Sequence, residues 1–195
     1  DPTIQLQFLN TWTDAPTEYT YPATYSTRYI VPNLANALDS AGALPPDTFT
    51  AVDIASFEDD DVKYYGGVLA PNGKIYFVPS YADNVGVFDP NATTDPFSVV
   101  DIASFEDGDS KYYGGVLAPN GKIYFVPSYA DNVGIFDPNA TTDPFSVVDI
   151  SSFEEDDVKY NGGVLAPNGK IYFVPWSADN VGIFDPNATT DPFSV

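Results

Sequence analysis

One stretch of 48 residues is written three times in succession, opening at Asp53, Asp101 and Asp149. The first two copies differ only at Asp60/Gly108, Val62/Ser110 and Val87/Ile135; the third departs mainly at Asn161, Trp176 and Ser177, and no gap is needed. A period of this length settles the architecture as a repeat.

Turn residues divide each copy into four short strand-like segments. In the first copy they are Lys63–Ala70, Lys74–Pro79, Val85–Asp89 and Phe97–Ile102. Pro71-Asn72-Gly73 closes a tight hairpin between the first two, since Asn-Gly suits such a turn. Four antiparallel strands per unit of about 40–50 residues are the dimensions of a propeller blade. The expected fold is therefore all-β, a β-propeller of four-stranded blades, with a non-closing β-solenoid or a sandwich as alternatives. Gly66-Gly67 in the first strand reads as small residues where inner strands crowd toward an axis, or as a β-bulge.

The chain has 195 residues. One period before Asp95–Asp101 stands the related string Asp47–Asp53, and Tyr29–Asn36 can be laid on Tyr76–Asp83. We accordingly expect four blades: a degenerate one over 17–52, then blades over 53–100, 101–148 and 149–195. A short helix over Asn33–Ala41 is the rival reading of the early region. Residues 1–16 form a strand and linker, with Ile4, Leu6 and Phe8 on one face as an assembly strand. That strand completes the last blade of its own ring, or pairs with a neighbouring molecule, or further repeats follow Val195. Asp1 follows neither an initiator Met nor an apolar leader, which fits a processed chain or a piece of a longer one.

Charge narrows the partners. Asp and Glu number 28 against 7 Lys and Arg, a net charge of −21. Such a chain repels phosphate backbones and anionic membranes, so neither nucleic acid nor membrane insertion is expected. Cys, His and Met are absent, which removes disulfides, thiolate and imidazole metal sites, and Ser–His or Cys–His nucleophiles.

The string KYYGGVLAPNGKIYFVPSYADNVGVFDP, from Lys63 to Pro90, resembles the propeller-type repeats of kelch, NHL and YVTN style in secreted or surface proteins of microbes. Tyr64, Gly66, Gly67, Pro71, Asn72, Gly73, Lys74, Ile75 and Tyr76 carry the resemblance, which covers 53–195. It implies a blade and an extracellular or cell-surface location, and leaves activity open.

Three candidate sites recur with the repeat. Asn91-Ala92-Thr93, Asn139-Ala140-Thr141 and Asn187-Ala188-Thr189 are N-glycosylation sequons in a Pro-bounded loop. The adjacent Thr94, Thr142 and Thr190 are weaker O-linked positions. Acidic loops carrying Asp59, Asp61, Asp107, Asp109, Asp156 and Asp157 share a blade face with turns bearing Asp83, Asp131 and Asp179. Carboxylates from both would converge on Ca²⁺, or else form a solvated acidic face. Tyr81, Tyr129 and Trp176 lie at turns and read as a sugar platform or as core edge.

The sequence thus points to an extracellular structural or adhesive glycoprotein that self-associates into a filament or layer through its N-terminal strand. A carbohydrate-binding propeller lectin is the alternative, and a propeller hydrolase or lyase the third reading. Near-identical repetition, with no asymmetric catalytic constellation, leads to the expectation that the chain is not an enzyme. No cofactor is expected beyond Ca²⁺.

Overall fold

The computed structural model describes residues 50–154 and 158–195. Ile4, Leu6 and Phe8, and all but the last three residues of the expected degenerate blade, lie outside the described residues.

Twelve strands form three four-stranded antiparallel sheets, and no helix occurs among the described residues. Blade one is β1 (Tyr64–Leu69), β2 (Ile75–Pro79), β3 (Asn84–Phe88) and β4 (Phe97–Asp101). Blade two repeats it as β5 (Tyr112–Leu117), β6 (Ile123–Pro127), β7 (Asn132–Phe136) and β8 (Phe145–Asp149). Blade three is β9 (Tyr160–Leu165), β10 (Ile171–Pro175), β11 (Gly182–Phe184) and β12 (Phe193–Ser194). Each sheet is a simple meander in chain order.

Local chemistry explains these limits. At the first hairpin Ala70 N donates to Lys74 O and Gly73 N to Ala70 O, both at 3.0 Å, and Gly73 takes a φ of 81°. An L side chain rarely adopts that φ, so Asn-Gly defines the turn. The proline ending each second strand has no N–H to continue a ladder. Both readings of the double glycine hold together. Pairing slips between Tyr64 and Gly67, a bulge, while in blade two a Cβ on Gly114 would stand 3.2 Å from Gly162 Cα, so the innermost strands of successive blades pass backbone to backbone.

The cores lie between blades. Alternate side chains of one strand face opposite sides of its sheet. Tyr76, Val78, Val85 and Val87 of blade one meet Tyr112, Ile123, Phe125 and Phe136 of blade two in one cluster. The other face of blade two, with Val116, Tyr124, Val126 and Val133, meets Tyr160, Ile171, Phe173 and Phe184 of blade three. Tyr76 packs on Phe136 at a centroid distance of 5.0 Å, and Tyr124 repeats this with Phe184 at 5.1 Å.

Candidate functional site

At the turn after the second strand a lysine of the next copy provides a positive charge. Lys111 stands just before β5 and is fully buried. Its ammonium reaches back to blade one, donating to Asp83 Oδ1 and Tyr81 O at 3.0 Å each, and to Gly108 O of its own acidic loop at 2.6 Å. Lys159 repeats the link, with Asp131 at 2.9 Å and Tyr129 O at 3.4 Å. A buried ammonium is tolerated because oxygens replace its water shell, and the half-exposed Asp83 keeps part of its own hydration. The acidic loop and the turn after the second strand do meet, as their shared blade face led us to expect. A side-chain cation from the next copy joins them. Asp59, Asp61, Asp107, Asp109 and Asp179 remain exposed, and no three acidic groups converge as a metal-holding cluster among the described residues. Asp156 and Asp157 lie outside those residues.

A second constellation escaped the sequence reading. Tyr64 donates its hydroxyl to Asn84 Oδ1 at 2.5 Å, and the Asn84 amide donates to Glu58 Oε2 at 2.7 Å. Tyr112–Asn132–Glu106 and Tyr160–Asn180–Glu154 repeat this relay, with the Tyr–Asn bonds at 2.5 and 2.6 Å. Burial pushes the three phenols well above the usual tyrosine range, and the neighbouring Glu carboxylate adds to the shift by opposing a second negative charge. The relay ties the acidic loop to the first and third strands of its blade while keeping the phenol protonated as a donor. Its signal in the sequence was Glu and Asn kept 26 residues apart in all three copies.

At the opposite end of each blade lies the sequon loop. Asn91, Asn139 and Asn187 are exposed. Each is held by an Asx turn in which its N–H donates to the Asp two residues earlier at 3.0 Å. The amide nitrogen of Asn91 lies beside the hairpin glycine Gly73, 3.7 Å from where a Cβ would stand; Asn139 and Asn187 repeat this at 3.6 and 3.9 Å. Between blades two and three this end opens into a groove of about 500 Å³. Asn120 bridges its rim, donating to Tyr124 OH at 2.8 Å and toward Pro186 O at 3.5 Å.

The aromatic turns do not make one platform. Tyr129 and Trp176 are exposed and Tyr81 is half-buried, one in each blade, with no ring contact among them. Trp176 stands at the position of Ser80 and Ser128, and Ser177 at that of the tyrosines.

No family model matches the chain, and no curated protein matches it. Solved structures do. A streptogramin B lyase shares 16% identity with a TM-score of 0.52, over 80% of this chain and 45% of its own. A catalytically inactive virginiamycin B lyase from Staphylococcus aureus, with quinupristin, gives 13% and 0.49, over 66% of this chain and 43% of its own. A putative 6-phosphogluconolactonase from Bacteroides uniformis gives 17% and 0.46, over 80% and 48%. The chain thus spans less than half the length of these proteins. At such identities the likeness concerns fold: this is an all-β chain of propeller-like repeats. It does not bear on the kelch, NHL or YVTN motif. The expectation that the chain is not an enzyme is overturned by the streptogramin B lyase, since the same blade fold carries catalysis there. Repeated blades are no argument against activity, because a site needs only residues grafted onto loops.

Proposed function

We propose that this chain is a structural or adhesive module of an extracellular glycoprotein, whose blades form a rigid array holding equivalent loops toward the surroundings. The observation that carries the reading is the sequon loop: exposed in all three blades, fixed by the same Asx turn, and seated against the same hairpin glycine. A scaffold whose copies interlock through buried lysines and hydrogen-bonded relays suits display at fixed spacing. Self-association through the N-terminal strand belongs to this proposal. In material from a secreting eukaryotic host, glycopeptide mass spectrometry should find sugar on Asn91, Asn139 and Asn187. Three bare asparagines would remove the glycoprotein reading.

A propeller lyase or hydrolase is the second reading, favoured by the fold of the streptogramin B lyase. Incubating the full chain with a streptogramin B and following the compound's integrity by chromatography tests it directly.

A further inference from the structure

The groove between blades two and three has a lining that its own protein leaves partly unused. Its apolar part is made by the partly exposed Ile135 and Val148. Its walls carry Ser146, Thr189 and Thr190, all exposed residues whose side-chain hydroxyls make no hydrogen bond within the protein. Lys122 adds an ammonium that is 43% exposed and only loosely paired with Asp137 at 3.7 Å, so it keeps N–H donors to spare. Asp191, held at a φ of 45° in the same wall, adds an acceptor.

Chemistry selects among ligands for such a lining. An anion would face Asp185 and Asp191 with a single lysine to receive it, in a chain of net charge −21. A divalent cation would find no cluster of three acidic groups among the described residues. A flat aromatic ligand would find no open ring to stack on, because Tyr124 and Phe184 are buried against each other. What fits is a neutral molecule with many hydroxyls, each able to donate and accept, and with apolar C–H faces for the apolar part. We infer that this groove is a binding site for a neutral saccharide of one or two units, recognised by Ser146, Thr189, Thr190 and Lys122. The site is distinct from the aromatic turns and does not depend on the chain being glycosylated.

Two sources of that sugar are open to the chain. Thr189 belongs to the sequon of Asn187, so a glycan rooted on that loop starts beside the groove; a free or foreign saccharide offers the same hydroxyls. The same residue types recur between blades one and two as Lys74, Ser98, Thr141 and Thr142.

The test begins with the full chain produced without glycans, titrated with methyl α-mannoside, maltose and N,N′-diacetylchitobiose by calorimetry and ligand-observed NMR. Saturable binding of at least one probe is expected. In the Ser146→Ala/Thr189→Val double variant it should weaken at the blade two–three site by about tenfold, with the melting temperature unchanged. Glycosylated chain forms the second arm. Loss of probe binding there, restored in Asn187→Gln, identifies the chain's own glycan as occupant, whereas undiminished binding identifies a free saccharide. No saturable binding of any probe to the unglycosylated chain, or full retention by the double variant, overturns the proposal.

Discussion

Blades two and three are nearly the same sequence in two different positions. Val126 of β6 is 0% exposed and its counterpart Val174 of β10 is 47% exposed; Val133 and Val181 repeat the contrast, again at 0% and 47%. The first two strands and their register are the same in both, while the third and fourth are shorter in blade three. The difference lies outside the strand: blade three covers the far face of blade two, and no described blade covers the far face of blade three. Burial in such an array belongs to the junction, and a side chain contributes only when a neighbour arrives. The third copy also differs in chemistry at this face, with Trp176 66% exposed where the inner copies bury Ser80 and Ser128 completely. An indole does not fit the space that a fully buried serine occupies, so this face is not shaped to receive a blade identical to the inner ones.

Substitutions in matched pairs sharpen that contrast. The largest effect is expected at the lysine link. Lys111→Ala should cost about 3 kcal/mol, because it leaves the Tyr81 and Gly108 carbonyls without their donor and opens a cavity where a fully buried side chain stood. Lys63→Ala should cost no more than about 0.5 kcal/mol, since among the described residues that lysine turns back to Asp60 O of its own loop. Equal losses in urea melts would break the distinction between the two lysines. The next effect is apolar: Val126→Ala should cost about 2 kcal/mol, through lost transfer energy and a small cavity. Val174→Ala should stay within about 0.5 kcal/mol, and comparable melting shifts in the two variants would show that the far face of blade three is covered in solution.

The smallest effect is in alkali. Burial and Glu106 raise the Tyr112 phenol, so the folded state prefers it protonated while the unfolded chain ionises near the ordinary value. Its stabilising contribution is therefore complete below about pH 10 and is lost as pH rises from there toward the folded value. The slope should be about 1.4 kcal/mol per pH unit. Tyr64 and Tyr160 act in the same sense, so Tyr112→Phe should reduce the alkaline slope without abolishing it, whereas replacement of the exposed Tyr65 should leave it unchanged; identical profiles for Tyr112→Phe and the unmodified chain would remove that buried phenol as a cause.

Much of the blade could be read before the structure. Val85–Asp89 was expected where Asn84–Phe88 is found, and Lys63–Ala70 where Tyr64–Leu69 is found, because Asn-Gly turns and prolines act locally. What stayed hidden joins residues far apart in the chain. Lys111 and Asp83 are 28 positions apart, and Asn84 and Glu58 are 26. Repetition showed that these residues recur, but composition gave no reason to pair a particular lysine with a particular aspartate. The acidic loops therefore read as calcium ligands or as a solvated face, with no lysine assigned to them. The groove was hidden for the same reason, since its two walls come from different copies. The early residues Ile4, Leu6 and Phe8 lie outside what the structure describes.

The lysine link also bears on how such a gene can grow. Each unit carries the ammonium at its start and the receiving carboxylate at its second turn, so both halves of the connection travel within one stretch of 48 residues. Copying that stretch in tandem supplies a donor for the acceptor upstream and an acceptor for the donor downstream, with no compensating mutation. An array joined this way lengthens or shortens by whole units with the lysine link kept. Among the described residues that link is made twice, by Lys111 with Asp83 and by Lys159 with Asp131.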